Sequence, residues 1–120
     1  MKRLLFAAAL LSSFLHSPSA SAAEPLRVFI RAGKKSHGPG AHDFPQFLKE
    51  WVPMLNERGA RADGSLEFPT KQQLDNTDVL ILHAQEAGNI QIGEQRKNLA
   101  EFLARGGGLV VIHAAAVSRD

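Results

Sequence analysis

Apolar residues form short continuous runs that alternate with longer segments of helical spacing. Residues 26–30, 78–83 and 109–113 are short runs rich in Val, Ile and Leu, which predicts strands buried on both faces. A fourth, weaker strand is predicted near residues 65–68. Residues 44–58 and 93–105 carry apolar side chains at steps of three and four, as helices packed on a core do.

The helix predicted over residues 44–58 has clear boundary signals. Asp43 is a plausible N-cap and Pro45 suits the first turn. Pro53 lies inside this segment, so a kink or a split is expected there. Trp51 could be a stacking platform for a sugar, but its place on the apolar stripe favours a core position.

The element order is β-α-β-α-β-α-β, where a single helical turn near residues 70–73 supplies the second helix. Strands that are apolar on both faces and separated by helices predict a parallel sheet with helices on both faces. We prefer a flavodoxin-like order, 2-1-3-4, to a Rossmann order. No helix is predicted after the last strand, so residues 24–120 are expected to be the N-terminal part of a longer domain; a complete small domain with a frayed tail is the alternative.

Residues 1–23 have the layout of a secretory signal peptide. Lys2 and Arg3 precede an apolar run, and small residues follow up to Ala23. The run is too short for a transmembrane helix, which needs roughly 20 residues. The remainder is expected to be secreted or periplasmic and free of the membrane after cleavage. An uncleaved membrane anchor or a buried helix is the alternative.

Charge and cysteine content exclude several classes of function. Lys2 and Arg3 account for the whole difference between 14 basic and 12 acidic residues, so the segment after the signal is neutral. We therefore expect no nucleic-acid partner. The absence of Cys excludes a disulfide scaffold, a zinc finger and a cysteine nucleophile.

Four histidines are the strongest candidates for chemistry: His37, His42, His83 and His113. His83 and His113 end two predicted strands, and the other two lie in the loop after the first strand. Ligands bind at the carboxyl ends of the strands in open parallel sheets, at the point where the strand order reverses. We therefore expect at least two of the four to share a site, although a histidine at a strand end is most often a hydrogen-bonded rim residue.

Imidazole can serve in such a site as an acid or base, or as a neutral metal ligand. Asp43, Gln85 and Glu86 are near in sequence and could add oxygen ligands. A divalent metal is one option, but no HxH or HExxH spacing supports it, so the metal stays unassigned.

The loop at residues 33–40 contains two lysines and several glycines, like a phosphate-binding loop. Pro39 follows Gly38 where a P-loop needs Lys, and the chain has no G-x-G-x-x-G. No nucleotide cofactor is therefore expected. The preferred interpretation is a flexible polar loop beside an active site, and Lys34 and Lys35 could contact an anionic or polyhydroxylated ligand.

Two segments carry a family resemblance: SHGPGAHDF at residues 36–44 and GGGLVVIHAA at residues 106–115. With residues 27–30 and 78–81, they resemble the ThuA-like (trehalose utilisation) domain over residues 26–117. The resemblance implies a class I glutamine amidotransferase-like fold, a variant of the flavodoxin-like sheet, and a role in the metabolism of disaccharides or keto-sugars. True amidotransferases of this fold have a cysteine near the position of His113, so no cysteine-dependent amidotransferase activity is implied.

Three hypotheses of function follow. The first is an exported carbohydrate-active enzyme whose four histidines line the pocket, with a small carbohydrate as its partner. The second is a non-catalytic sugar-binding module of a larger exported protein. The third is a fragment without independent activity. The substrate, the reaction and the oligomeric state are left open.

Overall fold

The computed structural model describes residues 23–85 and 93–116. Strands and helices alternate along this part of the chain, and a 3₁₀ turn at His113–Ala116 follows the last strand. The elements are β1 (Arg27–Ala32), α1 (Phe44–Glu57), β2 (Arg61–Ser65), α2 (Lys71–Asp75), β3 (Val79–His83), α3 (Gly93–Ala104) and β4 (Gly108–Val111).

The four strands form one parallel sheet in the order β2-β1-β3-β4. Val28 of β1 is opposite Ala62 of β2 on one side and Val79 of β3 on the other, and Val79 is opposite Gly108 of β4. The predicted α/β class with a flavodoxin-like 2-1-3-4 order is confirmed. The strand order reverses between β1 and β3, which places a switch point there.

The sheet has a separate hydrophobic core on each face. Val28, Ile30 and Ile81 point to the face covered by α1. Phe29 and Leu80 point to the opposite face, where they pack with Leu74 of α2 and Phe102 of α3. Since successive side chains of a strand alternate between faces, helices on both sides require the continuous apolar runs seen in the sequence.

An ion pair joins the starts of the two central strands. Asp78 accepts hydrogen bonds from the backbone N–H of Arg27, at 2.9 Å, and from its Nε, at 3.0 Å. These bonds hold the pKa of Asp78 at about 2, and the charge of Arg105 adds a smaller effect in the same direction. The pair fixes the register of β1 against β3 at the edge opposite the histidines.

The strand predicted near residues 65–68 was placed too late in the sequence. β2 is Arg61–Ser65, a polar segment with low β propensity. It forms because β1 offers a free edge and because Asn56 of α1 holds Ala62 through both of its amide atoms, at 2.7 and 3.0 Å. These tertiary contacts override the local sequence preference.

Helix α1 confirms its predicted cap, since Asp43 accepts a hydrogen bond from the backbone N–H of Gln46. The helix is unbroken at Pro53, so the predicted split does not occur, while the alternative of a kink stays a prediction. Pro53 and Lys49 are both exposed, so water can bond the Lys49 carbonyl that lacks an intrahelical partner. The predicted core position of Trp51 is wrong: the residue is 36% exposed, and its ring stacks on Phe47 with centroids 4.6 Å apart.

Strand β4 forms one edge of the sheet. Leu109, Val110 and Val111 are all exposed, although they point alternately to the two faces. The predicted strand over residues 109–113 is also too long: β4 ends at Val111, and His113 already belongs to the 3₁₀ turn. The expectation that the sheet is incomplete at this end stays a prediction.

The predicted signal segment, apart from Ala23, lies outside the described residues. Within residues 23–85 and 93–116, no helix has the length and apolar character needed to cross a membrane.

Candidate histidine site

All four predicted histidines lie at the carboxyl edge of the sheet. His83 is the last residue of β3, and His113 follows β4 after one intervening residue. His37 and His42 lie in the loop between β1 and α1. His37 and His113 are exposed while His42 and His83 are half-buried, so the group opens to solvent on one side. Whether these residues are catalytic stays a prediction.

His42 is the centre of this group. Its Nδ1 lies 2.8 Å from Nδ1 of His37, and the two rings meet edge to face with centroids 4.1 Å apart. On another side, its ring centroid is 5.0 Å from that of His113. Three of the predicted histidines therefore contact one another through a single central ring.

His83 joins the group through aromatic neighbours. Its ring packs against Phe44, with centroids 4.9 Å apart, and against Phe47, with centroids 4.4 Å apart. Phe44 in turn stacks on His42 at 5.6 Å. The two phenyl rings are the first and fourth residues of α1, so the start of this helix forms the apolar wall of the site.

The environment lowers the pKa of two histidines. For His83 the main cause is burial, and the nearby His113 and His42 add to it, while a hydrogen bond with the backbone of Ile112 opposes it. For His42, loss of hydration again comes first, followed by the charges of His37 and His113. Both rings therefore favour the neutral form near pH 7, in which an imidazole can accept a proton.

Two of these histidines have an uncommon backbone conformation. His42 has φ of 46° and His113 has φ of 52°, and they are the non-glycine residues with positive φ in the described chain. For an L-residue this left-handed region costs roughly 1–2 kcal/mol. Such strain persists only where the surroundings enforce it, and it occurs often at functional sites.

Ser36 is a neighbour that the sequence analysis missed. Its Oγ lies 2.9 Å from His37 Nδ1, the same nitrogen that faces His42. Ser36, His37 and His42 thus form a short hydrogen-bonded chain. A serine directly before a candidate histidine was the only sequence signal for it.

Asp43 is near the site but is engaged elsewhere. Its carboxylate lies 2.7 Å from Lys35 Nζ and also caps α1, and these bonds lower its pKa. Asp43 is thus a structural anchor for the loop, and Lys35 is paired with it. The suggestion that Lys35 contacts a ligand loses support for that reason.

Two buried polar atoms at this edge have no hydrogen-bond partner within the described part of the chain: His83 Nδ1 and Gln85 Oε1. Buried polar atoms are normally satisfied, so both are candidates to bond water or a hydroxyl-bearing ligand.

Glu86, the other oxygen ligand considered, lies outside the described residues. No set of three or more His, Asp or Glu side chains within residues 23–85 and 93–116 is placed to hold a metal ion.

A separate pocket of about 250 Å³ lies near the start of β1 and β2. Arg27, Arg61 and Asp63 line it, together with side chains of α2 and its C-terminal end. It is at the amino ends of the strands, away from the histidines, and its Arg27 is already bound by Asp78.

Compared with known proteins, the chain matches no family model, no curated protein sequence and no solved structure. The resemblance to the ThuA-like family therefore depends on the sequence segments quoted above.

Proposed function

We propose that this chain is an exported ThuA-like domain protein that acts on a carbohydrate, either a disaccharide or a keto-sugar. Its site is the cluster of His37, His42, His83 and His113 at the carboxyl edge of the sheet. The observation that supports the proposal best is the convergence of these four side chains, which come from three separate parts of the sequence, beside the sheet's switch point. Open parallel sheets bind their ligands at that position.

The chemistry that suits this cluster of histidines is proton transfer. A sugar offers hydroxyl groups, and a keto-sugar also offers acidic C–H groups beside its carbonyl. A general base needs a proton-accepting form at the working pH, and His42 and His83 have lowered pKa values that favour this form. His113, exposed at the rim and adjacent to His42, is placed to return a proton to the product.

Several features suit a polyhydroxylated ligand. Phe44 supplies an apolar surface, while His83 Nδ1 and Gln85 Oε1 present hydrogen-bonding atoms without a described partner. Small-molecule sites commonly combine apolar walls with a few oriented polar groups.

A sugar-binding module without turnover is the second candidate. Among the described residues, no carboxylate forms an ion pair with a histidine of the group, and Asp43 is tied to Lys35. Within residues 23–85 and 93–116, the site therefore has no ion-paired carboxylate of the kind that often orients a catalytic histidine.

The test is an NMR screen of the full chain with disaccharides and their keto derivatives, read for both binding and turnover. We expect turnover that falls by about 10²-fold or more in His42→Asn and in His113→Asn. Gln72→Ala, on the distant α2, serves as the control and should behave as wild type. Saturable binding without turnover would establish the module instead, and the absence of any binding would overturn both.

A further inference from the structure

We propose that the cavity between β2 and α2 is a second ligand site, which binds a short carboxylate that also carries an amine or hydroxyl group. The site lies at the amino ends of the strands, whereas the histidines lie at the carboxyl ends. It is therefore independent of the proposed carbohydrate site and adds a ligand class of its own.

Two arginines of the cavity lie side by side on neighbouring strands. Arg27 of β1 pairs with Arg61 of β2 in the parallel register, so their Cα atoms are about 4.8 Å apart and both side chains point to the same face. On this face Phe29 packs with Leu74 of α2. Neighbouring like charges destabilise a sheet, so each guanidinium needs a compensating anion.

The two arginines are compensated unequally. Asp78 binds Arg27 through both Nε, at 3.0 Å, and Nη2. Arg61 is paired with Glu24 at 3.5 Å, and these two side chains are 65% and 87% exposed. Water screens an ion pair of this kind, which therefore contributes little to stability. Arg61 can thus exchange Glu24 for the anion of a ligand at little cost.

The cavity beside the arginines has a volume of about 250 Å³. Sites for drug-sized ligands have roughly 300–1,000 Å³, so this cavity suits a smaller molecule. Phe29, which is 4% exposed, contributes apolar surface to the lining. A ligand with a few methylene groups between its polar ends can cover that surface.

Asp63 supplies the opposite charge at a defined distance from Arg61. It is two residues further along β2, so it lies on the same face with its Cα roughly 6.6 Å away. Its Oδ1 accepts a hydrogen bond from the backbone N–H of Gly64 at 2.7 Å. A carboxylate has about four acceptor positions, so Asp63 can accept a further bond from a ligand.

The order of these charges gives the ligand class. A guanidinium binds a carboxylate through two parallel hydrogen bonds, which places the ligand carboxylate at Arg61. The amine or hydroxyl group then donates to Asp63, while a second anionic group at this position would be repelled. The spacing along β2 favours a donor several bonds away from the carboxylate over one on the adjacent carbon.

The experiment is an NMR titration of the full chain with a matched series of four-carbon acids. The probes are 4-aminobutyrate, 4-hydroxybutyrate and butyrate. We expect saturable shifts of the Arg61 and Asp63 amide resonances with at least one of the first two, and the one that binds more tightly identifies the donor group. Butyrate should bind about tenfold more weakly, because it cannot donate to Asp63.

Variants separate a ligand role from a structural one. Arg61→Gln should weaken binding by about tenfold, and Asp63→Asn should reduce the tighter probe to the affinity of butyrate. Glu24→Gln should strengthen binding, because it removes the carboxylate that competes for Arg61. Arg58→Gln is the matched control, since Arg58 is also exposed but follows α1, on the other face of the sheet. Melting temperatures verify that each variant is folded.

Three results would overturn this second site. The first is the absence of a saturable shift in β2 with every probe, and the second is an affinity that Arg61→Gln leaves unchanged. The third is equal affinity of the wild-type chain for butyrate and for both other probes, which would exclude the ligand class. None of the three bears on the histidines, so the proposed function stands or falls by its own test.

Discussion

His37 and His42 face each other through their Nδ1 atoms, 2.8 Å apart. At that distance one nitrogen must carry a hydrogen and the other must accept it. The two neutral rings are therefore opposite tautomers, and their Nε2 atoms are the ones left for other partners.

The like charge of His113 contributes to the lowered pKa of His42, which gives a first prediction. His113→Asn should raise the pKa of His42, because one of the groups that disfavours its protonation is removed. Imidazole ¹⁵N NMR across a pH titration measures this directly. Lys71→Gln, on α2, is the control and should leave the His42 titration as it is. An unchanged pKa in His113→Asn would show that the two rings do not interact in solution.

The lowered pKa of His83 predicts acid sensitivity of the fold. The unfolded chain binds a proton at the ordinary histidine pKa, about 6.5, while the folded chain resists it. Stability should therefore be at its full value above pH 6.5 and fall as the pH drops below it. His83→Phe keeps a ring between Phe44 and Phe47 and should reduce this dependence of stability on pH. Urea midpoints at pH 7.5 and 5.5 provide the comparison. An equal loss of stability in wild type and variant between the two pH values would show that other groups cause the pH dependence.

The positive φ of His113 predicts a reversal of the usual ranking of Gly and Ala. At this position His113→Gly should be more stable than His113→Ala by about 1 kcal/mol, because only glycine adopts the left-handed region without strain. Ala100, exposed on α3, is the matched control, since Ala100→Gly should destabilise by about 1 kcal/mol there. Chemical denaturation measures both. If alanine is more stable than glycine at both positions, the turn at His113 relaxes to accept alanine without strain.

Gly64 of β2 permits α1 to approach the sheet. A Cβ at this position would lie 2.5 Å from the Ile30 carbonyl oxygen and would also clash with Leu48. Gly64→Ala should therefore lower the free energy of unfolding by about 2 kcal/mol. Gly38→Ala has no atom within 4 Å of the new carbon and should change stability little. Thermal denaturation of the two variants is the measurement, and equal melting temperatures would contradict the packing at β2.

The fold could be predicted because its strongest signals are local. The runs of β1, β3 and β4 are apolar on both faces, and their alternation with helices leaves few arrangements. β2 was misplaced because Arg61–Ser65 has no strand signal of its own and pairs through tertiary contacts with β1 and Asn56.

The candidate site was predictable in position but not in detail. Strand ends and loop membership were enough to bring four histidines to one edge. The Nδ1 contact of His42 with His37, the hydroxyl of Ser36 and the left-handed turn at His113 depend on loop conformation, which no periodicity encodes. The exposed position of Trp51 was missed for a different reason. Helical spacing shows which residues lie on one side of the helix, but it does not show how much of that side the sheet covers.

The strand order also affects how the chain can fold. β1 comes before the other described strands but lies inside the sheet, and its Val28 pairs with Val79 of β3, a separation of 51 residues that equals the one between Arg27 and Asp78. A growing chain must leave the backbone N–H and C=O groups on that edge of β1 unpaired until β3 has been synthesised. Contacts this distant in sequence slow folding because a long loop must close before they form. Helices α1 and α2 can form earlier, so closure of the β1–β3 pair is expected to set the folding rate.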